Sequence, residues 1–360
     1  MRPSGEPSML DPLPEPSLPP APVPSLPRHP RHPLRLLLKL GLVAAAFYFA
    51  WRLVAGMRWA ELAARLGVAS WPLVAASLFF LVFRFALWDL RFRLAASRAL
   101  ATRPPGAAFG FSVLLASSAL HLLNPAARLL AGPFRARSFA RAGDRSFGQV
   151  YGIVLYDQLA HQVTISLLTC LAVLAAAIAR GYGVPGLLGV AVLAAGVAGV
   201  VVWGRRRGPF ADNPLVRFLA RRADQAEGGL QRVYSQGHQA ADTFVKLLGD
   251  AGMALRAAGL GTILFLANAV AQWLIFLALG QRVGLLPVIA VVALGNAAGM
   301  LAGTPGGIGT TEAAMVAAFV ALGVDRASAG AATLLFRGLH YVLVLAVGLP
   351  ALGWLATRSR

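Results

Sequence analysis

The chain has 360 residues, of which 58% are hydrophobic and 13% charged; a soluble domain carries about a quarter charged residues, so most of this chain cannot face water. Its apolar residues form long runs without alternation, which excludes a membrane β-barrel. The formal net charge of +19 lies almost wholly between those runs, which makes it a topology signal and argues against a nucleic-acid partner.

The first 33 residues hold 12 of the 23 prolines. They read as a disordered, partly extended tail, without the apolar core and small-residue cleavage site of a signal peptide. From residue 34 to 357 the expectation is one all-α polytopic membrane domain. Six apolar stretches are long enough to cross about 30 Å of hydrocarbon: 35–57, 71–90, 149–179, 183–203, 257–280 and 327–356.

Two further stretches are broken. Residues 107–123 run into Asn124-Pro125, and residues 285–302 run into Gly303-Thr304-Pro305-Gly306-Gly307 before turning apolar again up to Leu322. Pro removes a backbone donor and Gly loosens the helix, so both should break at membrane depth. The basic residues decide the threading. Arg91, Arg93, Arg98 and Arg103 in the loop 89–106, five arginines in 126–148 and nine basic residues in 204–256 all favour the cytoplasm. This predicts two re-entrant hairpins, 107–147 opening inward and 285–323 opening outward, with both termini cytoplasmic. The two span-hairpin-span units then have opposite orientations, the logic of an inverted repeat. Segment 204–256, with Leu215, Phe218, Leu219, Leu230, Val233, Phe244, Leu247 and Leu248 among charged residues, reads as basic amphipathic helices on the cytoplasmic surface, or as a plain connector.

Charges within apolar runs are functional candidates, because burying them in hydrocarbon is costly. Glu312, Arg337, Asp157 and Arg84 stand out; Asp89 sits near a boundary and is less informative. Gly306, Gly307 and Gly309 allow close backbone approach and precede the helix carrying Glu312, so its free amides would attract an anion such as phosphate, or Glu312 itself as a cap. Arg337 is read as its ion-pair partner or as a contact to a lipid phosphate. Asn124, Arg128 and Arg135, at and after the first break, would complement the same head group, while Arg137 and Arg141 read as cytoplasmic anchors. His121, His161 and His340 have no metal-ligand spacing and read as packed histidines. The lone Cys170 excludes a disulfide framework. No nucleophile elbow, Walker loop, dinucleotide fingerprint or zinc signature occurs in a supporting context, so neither catalytic residues nor a cofactor is expected.

Thr304-Pro305-Gly306-Gly307-Ile308-Gly309-Thr310-Thr311-Glu312, followed by Gly323-Val324, Arg337 and Gly348, resembles the C-terminal motif of the lysylphosphatidylglycerol synthase transmembrane family, over roughly residues 35–356. The family's first motif usually reads Pro-x-Arg-x-Gly-Glu-x-x-Arg. Here Pro125, Arg128, Gly132 and Arg135 are kept at a stretched spacing, and Pro133 stands where Glu is expected. Leu155-Tyr156 replaces a Glu-Arg pair ahead of Asp157. The resemblance implies a flippase-like membrane domain, and with no aminoacylating domain in the sequence it implies lipid translocation without lipid synthesis.

The expectation is a multi-pass protein of a bacterial inner membrane that moves a phosphate-bearing lipid between leaflets. Pro305, Gly306, Gly307, Gly309, Glu312, Arg337, Asn124, Arg128, Arg135 and Asp157 would contact the anionic head group. Alternatives are a membrane transferase using a polyprenyl-phosphate donor and a non-catalytic subunit partnering a lipid-modifying enzyme.

Overall fold

The computed structural model describes residues 64, 66–100, 104–123, 127–179, 221–222, 224, 228–302 and 307–357. The Pro-rich tail, the stretches 35–57 and 183–203 and the first part of segment 204–256 lie outside the described residues. Those described form nine helices and no strand: α1 (Trp71–Leu100), α2 (Ala107–Leu123), α3 (Ala127–Ala142), α4 (Phe147–Ala179), α5 (Gly228–Gly249), α6 (Ala251–Ala278), α7 (Leu285–Ala302), α8 (Thr310–Ala321) and α9 (Arg326–Thr357). The sequence boundaries are met within two residues except in α1, which runs ten residues past the expected stretch and carries Arg91, Arg93 and Arg98 into the helix, and in α6, which begins six residues before it.

Helices α1, α6 and α9 are long and apolar enough to cross a membrane. Lipid tails are as apolar as Leu, so close packing of small residues has to hold such helices together. Gly348 in α9 lies against the Leu115 carbonyl of α2, and Gly148 and Gly152 in α4 lie against the Gln236 and Ala240 carbonyls of α5; a Cβ at any of the three would strike backbone. Helix α5 buries Thr243, Val245 and Leu247, whereas Leu230 and Val233 of the expected apolar face are exposed.

Three bonds fix α1 and α6 as antiparallel neighbours: Ser70 N–H to the Ala278 carbonyl (2.8 Å), Arg84 to Asn268 (2.6 Å) and Arg98 to Asp250 (2.5 Å). Both broken stretches form hairpins. In the first, Phe109 at the start of α2 meets Phe139 near the end of α3, ring centroids 5.5 Å apart, so the chain returns to the level it left. In the second, Gly295 packs against Met315 and Gly299 against Thr311, an antiparallel register of α7 on α8. Helix α8 has 12 residues and is about 18 Å long, too short to span hydrocarbon.

The packing obeys an internal exchange. Replacing α1–α4 by α6–α9 maps neighbouring helices onto neighbouring helices: α2 packs on α9 as α7 packs on α4, α3 on α4 as α8 on α9, and α1 on α2 as α6 on α7. Because α1 and α6 are antiparallel, the two halves are inverted.

Candidate functional site

Two buried clusters of charge involve α1: the first lies within the first half, among α1, α3 and α4, and the second joins α1 to α6, α8 and α9 of the second half. In the first, Asp157 of α4 accepts from Arg91 Nε (2.8 Å), Arg135 Nη2 (3.0 Å) and Trp88 Nε1 (2.8 Å). The Arg135 guanidinium also lies over the rings of Phe92 (4.9 Å) and Trp88 (5.5 Å). All three charged side chains are at most 3% exposed. One carboxylate faces two arginines, so the group carries a surplus positive charge. Asp89, one turn away, pairs with Arg93 (2.6 Å) and is buried against Gly110, where any Cβ would collide with its carboxylate. It is therefore buried and paired within the helix packing.

In the second cluster Glu312 has two roles. One carboxylate oxygen accepts the Gly309 N–H (2.7 Å) and caps α8; the other accepts from Arg337 Nε (2.6 Å) and the Tyr341 hydroxyl (2.7 Å). Gly307 and Gly309 adopt positive φ of 71° and 83°, which glycine accepts without penalty. The sequence allowed either an anion or Glu312 at this helix start; in the structure the carboxylate occupies it, so the Gly309 amide is not free for a ligand. Arg337 also donates to Tyr341 (2.6 Å), closing a three-residue ring of hydrogen bonds.

Arg84 completes this cluster without a carboxylate of its own. Its Nη1 donates to Asn268 (2.6 Å) and its Nη2 to His340 Nδ1 (3.1 Å), which as the acceptor is the unprotonated ring nitrogen; its buried Nε has no hydrogen-bond partner. A cavity of about 30 Å³ is lined by Arg84, Asn268, Asn296, Thr311, Arg337 and His340. That is room for one or two waters or one oxygen of an anion. Arg84 and Arg91 are two helical turns apart, about 10 Å along the bundle. The interval is filled by stacked rings in the order His340, Phe85, Trp88 and His161, with centroid spacings of 5.9, 6.2 and 5.4 Å.

The structure thus joins Glu312 with Arg337, and Asp157 with Arg135, at two levels of one bundle. Under the exchange of halves these pairs occupy corresponding helices with their charges swapped, Arg135 on α3 and Asp157 on α4 against Glu312 on α8 and Arg337 on α9. Asn124, Pro305 and Gly306 lie outside the described residues. Arg128 is helical, and its side chain is likewise outside the description. Sequence reasoning missed Tyr341, Asn268, Trp88 and the placement of Arg91. Tyr341 and Arg91 stand at spacings visible in the sequence, four residues after Arg337 and seven after Arg84, but nothing marked Asn268 and Trp88 among their apolar neighbours. Among the described residues no group of three or more His, Cys, Asp or Glu could hold a metal ion.

Comparison with known sequences matches residues 36–348 to the lysylphosphatidylglycerol synthase transmembrane region. The chain belongs to that family. A UPF0104 membrane protein of Methanothermobacter thermautotrophicus is 24% identical over 334 residues, 89% of this chain and 95% of its own length. UPF0104 membrane proteins of Pyrococcus horikoshii and Methanocaldococcus jannaschii are 37% and 32% identical over shorter segments, 24% and 26% of this chain and 26% and 28% of their own lengths. The family assignment agrees with the apolar helices: this is a membrane protein. Within the family frame, Pro133 lies inside α3 two residues before Arg135, so the helix that departs from the usual Glu contributes a cation to the first cluster.

Proposed function

We propose that this protein moves a phosphate-bearing lipid between membrane leaflets. The observation that carries the reading is Arg84, a buried cation midway along α1 whose acceptors are neutral and which lines a small cavity together with Arg337. An unneutralised guanidinium at membrane depth costs several kcal/mol, and a phosphate oxygen entering the cavity offsets that cost with charge-assisted hydrogen bonds. The Arg91–Arg135–Asp157 cluster, about 10 Å further along, offers a second cationic station. The inverted halves suit alternating access, in which one half rocks against the other around the site.

In this reading the described hairpins α2–α3 and α7–α8 are re-entrant, and six full spans complete the domain. The arginine-rich ends near Arg98, Arg137 and Arg141 face the cytoplasm of a bacterial inner membrane, with both termini on that side. After Cys170→Ser, a cysteine at 137 should resist an impermeant maleimide applied from outside and one at 325 should react; the opposite pattern removes this threading. Transport is tested in vesicles holding fluorescent phosphatidylglycerol. Arg84→Gln and Arg337→Ala should each slow lipid movement at least about tenfold, as expected for loss of a charge-assisted contact. Movement at the wild-type rate would eliminate the site.

A further inference from the structure

Away from both clusters, a groove of about 740 Å³ opens where α2 begins and α3 and α9 end. Its volume is within the range that takes a small ligand, roughly 300–1,000 Å³. Its lining is divided by chemistry: Arg137 and Arg141 supply the polar side, and Phe109, Phe134, Leu352 and Leu355 the apolar side. The two arginines are one helical turn apart on α3 and both are exposed, a spacing that sets neighbouring side chains about 5–6 Å apart at Cβ. Neither makes an ion pair among the described residues. Trp354 lies beside Phe109, ring centroids 6.3 Å apart, as aromatic side chains do at the level of lipid head groups.

We propose that this groove binds one anionic phospholipid from the adjacent leaflet. Its phosphate would be held between the Arg137 and Arg141 guanidiniums and the upper part of an acyl chain would lie along Phe109, Phe134, Leu352 and Leu355. Three observations select this occupant over a soluble anion or a protein segment. Two cations one turn apart match a phosphate. The apolar wall continues from the cations onto α9, one of the three helices long and apolar enough to cross a membrane. The groove also sits at the end of the bundle where Arg98 and Asp250 meet, the level at which a membrane protein leaves hydrocarbon for water. The inference goes beyond the transport reading and does not depend on it, because a lipid held here need not cross the bilayer.

The test uses the full chain, purified in detergent, stripped of lipid and exposed to phosphatidylglycerol, phosphatidylcholine or inorganic phosphate, with bound lipid counted by native mass spectrometry. The wild type should retain phosphatidylglycerol in preference to phosphatidylcholine. Arg137→Gln/Arg141→Gln should reduce the retained phosphatidylglycerol about tenfold, and Arg137→Lys/Arg141→Lys, which keeps the charge and loses the planar fork, should reduce it less. Arg232→Gln/Arg256→Gln, removing equal charge from α5 and α6, should leave it unchanged. The proposal is overturned if the glutamine pair binds like wild type, if the control pair loses as much, or if millimolar inorganic phosphate displaces the lipid, which would make this a free-anion site.

Discussion

The Glu312–Arg337 pair allows structure and function to be separated by one series of variants. Glu312→Gln keeps an amide oxygen to accept the Gly309 N–H, so the cap on α8 survives, but it removes the negative charge from a cluster holding Arg84 and Arg337. Removing one member of a buried pair costs about 3–5 kcal/mol, because the remaining charge is left uncompensated. At roughly 2–4 °C per kcal/mol, a figure from domains somewhat smaller than this one, the thermal midpoint in detergent should fall by on the order of 10 °C. Adding Arg337→Met removes the stranded cation and fills its volume with an apolar side chain. The double variant should therefore recover most of the lost midpoint, since neither member of the pair is then left as an uncompensated charge, while the Gln amide still accepts the Gly309 N–H. Lipid movement should not recover with it. The electrostatic reasoning fails if Glu312→Gln melts within a degree of wild type, or if the second substitution lowers the midpoint further.

Gly348→Ala drives a methyl group toward the Leu115 carbonyl and the Ala119 methyl and should destabilise by about 1–3 kcal/mol, read as a lower midpoint, because α2 and α9 must separate. Trp88→Phe keeps most of the ring but deletes the Nε1–H bond to Asp157; leaving that buried carboxylate one donor short should cost about 1–3 kcal/mol in the same melt. Asp250 caps α6 by accepting the Met253 N–H, and Asp250→Ala should cost about 1 kcal/mol. The Arg98 guanidinium bonded to Asp250, helped by the Met253 amide, holds its carboxyl below the usual carboxylate range. Its contribution is thus present above the unfolded-state pKa of about 4 and is lost as pH falls through the lower folded value, so wild type and Asp250→Ala should converge in acid.

The helices themselves were legible in the sequence. Residues 107–123 and 285–302 end as helices where Asn124-Pro125 and the Gly303–Gly307 run interrupt them, because proline and glycine act on the local backbone whatever surrounds it. Glu312 as cap of α8 and partner of Arg337 was one of two readings its position three residues after Gly309 allowed, the other being an anion bound at that helix start; the structure decides for the carboxylate.

The partnerships across the bundle were decided only by tertiary structure. Asp157 could have paired with any arginine in the first half; its choice of Arg91 and Arg135 depends on how far α1 continues past residue 90 and on the side of the hairpin that α3 presents. Asn268 and Trp88 carry no charge and interrupt no pattern, so their roles depend on the α1–α6 and α1–α4 registers. The same holds for Arg84: the sequence marks a cation within an apolar run, but that its acceptors are neutral and that a cavity adjoins it depends on α6, α7, α8 and α9 meeting at one level. Local backbone chemistry and the cost of burying charge act on each segment separately and can be read from it, whereas the pairing of buried polar groups is a property of helices far apart in the chain.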